Sequence, residues 1–325
     1  MKIIDYNYGL RWQDLLVRHK PGMIKSITIK KAINSIIFLW EFQTKSIIAR
    51  SKPFYLIIEP TNHCDHSCPR CGTHSNRTKG FMDFDLYKEI IDFYKFYCMK
   101  ISLYGQGESF LHKEIFEMIA YSEINKCPVT ISSNFNCLTP VKLQNLLDSG
   151  LHRLIVCVDG ASQESHARYR QNGDLNKVLT NLRTLAELKA KGGYKNPTIE
   201  VQTIAFSYIK NELNSISKMV KECGADIHLI RKDMFSSKAN PCKKKDCPAL
   251  WGAVFITWNG IVFPCEQFCN KLNLRALDFK VIKNGTDFWN DNLMINARSI
   301  LRQKNKNNYP VDIPCSSCFH FPKKR

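Results

Sequence analysis

The segment FYLIIEPTNHCDHSCPRC, residues 54–71, joins a short apolar run to a loop that carries three cysteines. Cys64, Cys68 and Cys71 are separated by three and by two residues. Three closely spaced thiolates suit a soft metal or an iron–sulfur cluster. A structural zinc site needs four ligands, and three nearby histidines offer a fourth, so zinc remains open for this segment alone. These histidines are His63, His66 and His74.

From residue 54 onward, short apolar runs alternate with amphipathic segments of helical periodicity, which predicts parallel βαβ units and an α/β fold. The predicted strands are 54–59, 100–104, 129–133, 154–158, 199–205 and 226–230. The predicted helices between them are 85–97, 113–124, 139–149, 175–191 and 211–223. Six such units fit an incomplete barrel or a wound open sheet, and periodicity alone leaves both open.

The segments on either side of this repeat differ from it. The first fifty residues form a basic leader, in which apolar residues of 24–40 recur at helical spacing. We favour a helix packed on the main domain over one that binds a membrane surface or a partner. Near residue 240 the pattern becomes polar and cysteine-bearing, and Asn259–Gly260 between two apolar runs predicts a β-hairpin. The predicted division is a leader at 1–50, a core at 51–236 and a small cysteine-rich domain at 237–325.

The composition of the 325-residue chain is globular, with 44% hydrophobic and 23% charged residues. The formal net charge of +18 predicts an acidic partner or a solvated basic surface. The first ten residues lack a signal-peptide pattern, and the apolar run Ile36–Trp40 is too short to cross a bilayer. We therefore expect a cytoplasmic protein without a transmembrane segment. In that compartment the fourteen cysteines are expected to be ligands or core thiols rather than disulfides.

The Cys-x3-Cys-x2-Cys spacing after a first strand resembles the signature of the radical S-adenosylmethionine (SAM) superfamily. The resemblance implies that Cys64, Cys68 and Cys71 bind three irons of a [4Fe–4S] cluster, whose fourth iron binds SAM. It also implies a partial (β/α)6 barrel, similar to an incomplete TIM barrel, and reductive cleavage of SAM to a 5′-deoxyadenosyl radical. One position departs from the pattern, because Arg70 stands where the family usually has an aromatic residue near the adenine.

Three later strand ends resemble SAM-binding elements of the same superfamily: a glycine-glycine-glutamate motif, a Ser/Thr-Asn pair, and an Asp-Gly strand end followed by Tyr-Arg. Glu108 is thereby implied as the partner of the SAM ammonium, and Arg170 as a carboxylate contact. Ser109 replaces the usual proline after the glutamate. The residues implicated in SAM binding are Gly105, Gln106, Gly107, Glu108, Ser133, Asn134, Asp159 and Arg170.

A second group of four cysteines lies in the C-terminal region, and this ligand count suits structural zinc or an iron–sulfur cluster. The four are Cys247, Cys265, Cys315 and Cys318. Their order around the hairpin glycine resembles the SPASM/twitch extension of radical SAM enzymes in its single-cluster form, which implies one auxiliary [4Fe–4S] cluster. Trp289 and Arg298 stand where that extension often has a tryptophan and an arginine. Cys242 is an alternative ligand to Cys247.

The resemblance implies a radical SAM oxidoreductase that abstracts hydrogen from a small molecule, with the auxiliary cluster aiding oxidation. It also implies a low-potential electron donor of the flavodoxin or ferredoxin type. A peptide-modifying enzyme that crosslinks, epimerises or oxidises its substrate has the same architecture and stays open. A non-catalytic zinc protein that binds nucleic acid is the third alternative, and it leaves the strand-end motifs unexplained.

Overall fold

The computed structural model describes residues 1–6, 26–71, 77–233, 247–266 and 277–302, and its centre is a ten-stranded sheet. The strands are β1 Lys2–Tyr6, β2 Tyr55–Ile58, β3 Lys100–Leu103, β4 Val129–Ser133, β5 Arg153–Cys157, β6 Thr198–Ala205, β7 Ile227–Lys232, β8 Ala253–Ile256, β9 Ile261–Phe263 and β10 Leu277–Asp278. The described helices are α1 Ile29–Thr44, α2 Phe84–Tyr94, α3 Ile115–Ile124, α4 Pro140–Asp148, α5 Gln163–Ala167, α6 Leu175–Lys191, α7 Leu213–Glu222, α8 Ala249–Gly252, α9 Phe279–Lys283 and α10 Asn292–Arg302. Among them, none is both long enough and apolar enough to cross a membrane.

The six central strands of the sheet are arranged side by side in the order in which they occur along the chain. The strand order is β1-β7-β6-β5-β4-β3-β2-β8-β9-β10, and every pairing from β2 to β7 is parallel. A doubly wound sheet reverses its order at a switch point, whereas here each strand from β2 to β7 follows its predecessor along the chain. This order agrees with the predicted partial (β/α)6 barrel and with all six predicted strands.

Local chemistry sets the bounds of the outer helices. The side chain of Asp83 accepts hydrogen bonds from two first-turn amides of α2, at 2.9 and 3.0 Å. Thr139 caps α4, whose first residue is Pro140. Gly150 and Gly224 follow α4 and α7 with φ of +79° and +85°, the left-handed conformation that ends a helix most easily at glycine.

The two faces of the sheet have different chemistry, because successive side chains of a strand point to opposite faces. Leu56, Ile101 and Leu154 belong to the apolar core that the helices complete. The opposite face is polar: the hydroxyls of Tyr55 and Ser102 lie 2.8 Å apart. On the same face, Arg153 of β5 and Glu200 of β6 form a buried ion pair.

The N-terminal segment contributes a strand in addition to the helix that the periodicity of residues 24–40 predicted. Residues Lys2–Tyr6 form β1, which pairs in parallel with β7 from Lys2↔Ile227 to Tyr6↔Arg231. The sequence did not predict this strand, in which a short apolar run completes the open edge of the sheet. The predicted helix of the leader is present as α1.

The predicted hairpin is confirmed, with β8 and β9 antiparallel and Gly260 at φ +80° in the turn. The hairpin belongs to the same sheet as the core strands. Strand β8 pairs in parallel with β2, from Tyr55↔Ala253 to Ile58↔Ile256. The physical reason is that all four residues of β8 are buried and cover the second edge of the core sheet. The predicted boundary at residue 237 lies outside the described residues.

His228 is a buried imidazole that joins β7 to α7 and β6. Its Nε2 lies 2.9 Å from the hydroxyl of Thr203, and its Nδ1 lies 2.8 Å from that of Ser217. Burial lowers the pKa of His228 to about 4. Since the unfolded chain binds the proton near the ordinary value of about 6.5, protonation favours unfolding between these two pKa values.

We expect the free energy of unfolding to be full above the unfolded-state pKa and to fall as the pH drops towards 4, with His228 contributing up to about 3 kcal/mol of the loss. His228→Gln retains hydrogen-bonding groups but does not titrate, so its unfolding free energy should fall less steeply. Anaerobic urea unfolding of both proteins from about pH 7 to about pH 4.5 measures this. Equal slopes in the two proteins would contradict the assignment.

Candidate active site

The loop that carries the first three cysteines leaves β2 at the carboxyl end of the parallel strands, the end where active sites of such barrels lie. Cys68 is buried, whereas Cys64 and Cys71 are half-buried. The amide of His66 donates to Sγ of Cys64 at 3.4 Å, and the amide of Cys71 donates to the carbonyl of Cys68 at 3.2 Å. One short, internally bonded segment thus holds all three thiols.

A buried ion pair closes the base of this loop. The guanidinium of Arg77 donates to both carboxylate oxygens of Glu59, at 3.1 and 2.6 Å, and Glu59 is fully buried. Arg77 also donates to the side chain of Gln106 at 3.1 Å, and the amide of Gln106 donates to Glu59 at 3.2 Å. A Cβ on Gly105 would lie 2.8 Å from that of Glu59. These contacts fix Gly105 and Gln106, two predicted site residues, and no local sequence pattern indicates the ion pair.

Asn62 also connects the segment before the cysteine loop to the segment after it. Its side-chain amide donates to the carbonyl of Thr78 at 2.8 Å, and its Oδ1 accepts from the amide of Gly80 at 2.9 Å. The hydroxyl of Thr61 donates to the carbonyl of Gly80 at 2.7 Å. Hydrogen bonds therefore hold the two ends of the cysteine loop next to each other.

Gly107 allows the end of β3 to lie directly on the cysteine loop. A Cβ at Gly107 would lie 2.3 Å from the carbonyl oxygen of Thr61 and 2.6 Å from that of His63, so any side chain would clash with the backbone. The amide of Glu108 donates to the same His63 carbonyl at 2.8 Å. Glycine is thus required at position 107, because the backbone of the cysteine loop occupies the space that a side chain would need.

Glu108 is buried at the junction of β3 and β4. It accepts hydrogen bonds from the hydroxyl of Ser133 at 2.9 Å and from the amides of Asn134 and Phe110 at 2.8 and 3.2 Å. Burial raises the pKa of Glu108 to about 7, although these hydrogen bonds oppose the rise. A cationic ligand beside this carboxyl would favour its ionised form.

Asn134 connects the cysteine loop to the end of β4. Its side-chain amide donates to the carboxylate of Asp65 and lies 3.0 Å from Nδ1 of His66. Asp65 and His66 stand between the first two cysteines, and their contact with Asn134 leaves no local pattern in the sequence. Ser133 and Asn134 are therefore brought together with Glu108 and with the loop, as their strand-end positions predicted.

Asp159 and Arg170 form the side of the site next to β5 and β6. The Oδ2 of buried Asp159 accepts from Nε of Arg170 at 2.6 Å, and its Oδ1 accepts from the amide of Ile204 at 2.7 Å. Nη1 of Arg170 lies 4.0 Å from Sγ of Cys68. Burial raises the pKa of the Cys68 thiol, and the charge of Arg170 opposes that rise. Arg170 is thus fixed as a cation beside the thiols.

The structure also defines the surroundings of Arg70 and Cys157. Arg70 is exposed, with φ of +65°, and its contact with an adenine stays a prediction. Cys157 is a buried thiol, with its Sγ 3.8 Å from the hydroxyl of Ser132.

The predicted auxiliary ligands are only partly within the described residues, since Cys315 and Cys318 lie outside them, as does the alternative ligand Cys242. Cys247 and Cys265 are half-buried and pack against the apolar core. Cys247 leads into α8, and Cys265 follows β9. The auxiliary cluster as a whole stays a prediction.

Arg298 and Trp289 lie in the core behind Cys247. Nε of Arg298 donates to the carbonyl of Leu250 at 2.9 Å, and Nη1 donates to that of Trp289 at 2.8 Å. The guanidinium also lies 4.9 Å from the centroid of the Trp289 ring. These contacts fix α10 to α8, the helix that follows Cys247.

The donor set of the first loop fits an iron–sulfur cluster with three protein ligands. Three thiols are soft donors of the kind that such clusters use, and Arg170 places a compensating cation beside Cys68. In the part of the chain that the structure describes, no three His, Cys, Asp or Glu side chains converge on the position of one metal ion. The cluster site is therefore inferred from the donor chemistry and the surrounding groups.

We expect Arg77→Met to destabilise the protein by about 3 kcal/mol, because it leaves the buried carboxylate of Glu59 without its cation. The double variant Glu59→Gln with Arg77→Met should recover part of that loss. Lys95→Met removes a partner of the exposed pair with Asp92 and should cost less than about 1 kcal/mol. Anaerobic urea unfolding with iron counting checks this, and wild-type stability of Arg77→Met would contradict it.

Comparison with known proteins finds partial matches to curated proteins. The AdoMet-dependent heme synthase of Methanosarcina barkeri is 26% identical over 183 residues, which are 55% of this chain and 50% of that protein. The tungsten-containing aldehyde ferredoxin oxidoreductase cofactor-modifying protein of Pyrococcus furiosus is 23% identical over 179 residues, 54% of this chain and 50% of that protein. The chain thus matches about half the length of these curated relatives.

The fold has a solved counterpart in SuiB of Streptococcus suis bound to S-adenosylmethionine. The two structures agree with a TM-score of 0.59 at 14% identity, over 89% of this chain and 79% of SuiB, which shows a shared fold. The family model described as Radical SAM superfamily matches residues 58–199, from the end of β2 to the start of β6. The similarity to this superfamily thus covers the central strands and the loop that carries Cys64, Cys68 and Cys71.

Proposed function

We propose that this chain binds SAM at a [4Fe–4S] cluster held by Cys64, Cys68 and Cys71 and abstracts hydrogen from an organic substrate. The observation that carries the proposal is the contact of the cysteine loop with polar residues at the ends of β3 and β4 and with Arg170, which follows β5. When bound and reduced, the cluster supplies the electron that cleaves the C–S bond of SAM to a 5′-deoxyadenosyl radical.

The protein groups around the loop have roles that the geometry supports. Glu108 and Arg170 are complementary to the ammonium and the carboxylate of the SAM methionine. Asp159 orients Arg170 through its hydrogen bond at 2.6 Å, so that the guanidinium faces Cys68. Asn134 holds Asp65, and with it the first half of the loop. These residues bind and orient, and the buried strand ends exclude water from a reactive radical.

We propose a small polar molecule as the substrate and a net oxidation as the reaction. The polar face of the sheet supports this proposal: it carries the Tyr55–Ser102 hydroxyl pair, and Arg231 donates to Gln202 at 3.1 Å. Such a surface favours a substrate with hydrogen-bonding groups. The name heme synthase of a matched relative also refers to a small-molecule product.

In this proposal a second [4Fe–4S] cluster, on the four cysteines of the C-terminal region, aids the oxidation. The electron donor is a low-potential flavodoxin or ferredoxin, whose usual acidity complements the net charge of +18. Burial of Arg298 and Trp289 supports the proposal, because it gives the segment around Cys247 a rigid base.

Peptide modification is a second candidate, and one observation favours it. SuiB, which has the same fold, has also been solved bound to its precursor peptide SuiA, with a TM-score of 0.58. The two candidates differ in substrate size and share the radical-generating site, so tests of that site apply to both.

We expect the triple variant Cys64→Ala, Cys68→Ala and Cys71→Ala to lose all SAM cleavage, because it removes every protein ligand of the first cluster. Anaerobic reconstitution of the wild-type chain should give about eight irons, and the variant about half of them. Release of 5′-deoxyadenosine is the activity measurement. Cys223→Ala, at a buried cysteine beyond α7, is the control and should retain both. SAM cleavage by the triple variant would disprove the proposal.

The auxiliary cluster makes a separate prediction. Cys315→Ala with Cys318→Ala should lower bound iron by about half and spare most 5′-deoxyadenosine release while it abolishes product formation. Iron counting and the cleavage assay need no knowledge of the substrate. Elemental analysis of the wild-type chain provides the alternative outcome. If zinc is present and only one cluster's worth of iron is found, the four C-terminal cysteines hold structural zinc instead.

A further inference from the structure

The outer face of α1 carries an apolar stripe that is open to solvent. Ile29, Ile33, Ile36 and Trp40 are 80%, 52%, 66% and 60% exposed. Their spacing of four, three and four residues places them on one side of the helix. A contiguous row of three isoleucines and a tryptophan is uncommon on a protein that meets only water.

The inner face of the same helix is fixed to the barrel, so the stripe belongs to a rigid element. Phe38 is buried in the core, and the ammonium of Lys31 donates to the carbonyl of Lys126 at 2.6 Å. Asn34 exchanges two hydrogen bonds with the backbone of Lys52, at 2.9 and 2.8 Å.

These anchors place α1 at the amino ends of the parallel strands. Lys52 lies just before β2 and Lys126 just before β4, whereas the cysteine loop leaves β2 at its other end. Two more exposed apolar residues lie at this amino end, Phe96 before β3 and Ile124 at the end of α3, with 48% and 79% exposure. The ammonium of Lys30 lies 4.7 Å from the centre of the Phe96 ring, which joins Phe96 to the α1 surface.

The exposed charges that α1 itself carries have one sign. Lys30 is exposed beside the stripe, and Lys45 follows the last turn of α1. The single carboxylate of α1, Glu41, is buried and accepts hydrogen bonds from the amide and hydroxyl of Ser51. An apolar stripe with cations beside it, on a chain of net charge +18, is complementary to an anionic lipid surface.

We propose that α1 docks on the surface of an anionic lipid bilayer and lies in the plane of the interface. The three isoleucines enter the boundary between head groups and acyl chains, and Trp40 lies at head-group level, where tryptophan is favoured. A second copy of the chain is a poorer occupant, because two surfaces of the same positive charge repel each other. In the docked orientation the carboxyl end of the barrel faces away from the lipid.

Flotation of the purified full chain with lipid vesicles tests the proposal. We expect it to float with vesicles of phosphatidylcholine mixed with phosphatidylglycerol and not with phosphatidylcholine alone, and added salt should weaken the binding. Ile36→Ser should lower the partition coefficient about tenfold, because burial of one isoleucine side chain is lost. Ile33→Ser, Ile36→Ser and Trp40→Ser together should abolish flotation.

Val141→Ser is the matched control, since Val141 is 71% exposed on α4, which begins at the carboxyl side of the barrel. It should float like the wild type, and thermal unfolding should show that all variants fold. Failure to float with anionic vesicles overturns the proposal, as does equal flotation of Val141→Ser and the triple variant. Self-association that the triple variant abolishes, without lipid binding, would assign the stripe to a dimer instead. None of these outcomes depends on SAM cleavage.

Discussion

The ion pair between Glu59 and Arg77 is the constraint on which the site depends. Glu59 is the first residue after β2, and Arg77 lies beyond the last cysteine, so the pair joins both ends of the loop to the sheet. A buried carboxylate without its cation destabilises the folded state. Opening the loop at its base would separate Glu59 from Arg77 and is therefore unfavourable. Through Gln106 the same pair reaches the end of β3, and the cysteine loop and the glycine motif become one unit.

A second consequence concerns the strand-end residues. Ser133 and Asn134 both donate hydrogen bonds to Glu108, and Arg170 donates one to Asp159. Groups fixed in this way do not have to be ordered when a ligand binds, so less conformational entropy is lost in binding. A motif residue can therefore stabilise the scaffold and also bind the proposed ligand. Gly107 is the plainest case, because packing against the loop backbone already excludes every other residue.

The sequence predicted the six central strands, the hairpin and the cysteine loop because each depends on local patterns: apolar periodicity, Asn259–Gly260 and thiol spacing. It did not predict the partners of Glu59 or Asp65, since those contacts join positions far apart in the chain. It also missed β1, whose five residues form a strand only because β7 offers an open edge. The hairpin was found, but its pairing with β2 depends on the same kind of open edge and left no local pattern.

The two ends of the barrel differ in chemistry for one structural reason. Parallel strands joined by helices place every strand-to-helix turn at one end and every helix-to-strand turn at the other. Polar ligand-binding groups collect at the first end, where the cysteine loop lies. The second end consists of the turns from each helix to the next strand. In this protein α1 packs at that end, with Ile36 and Trp40 exposed on its outer face. Because the ends are separated by the length of the strands, an apolar surface at one need not interfere with the proposed radical chemistry at the other.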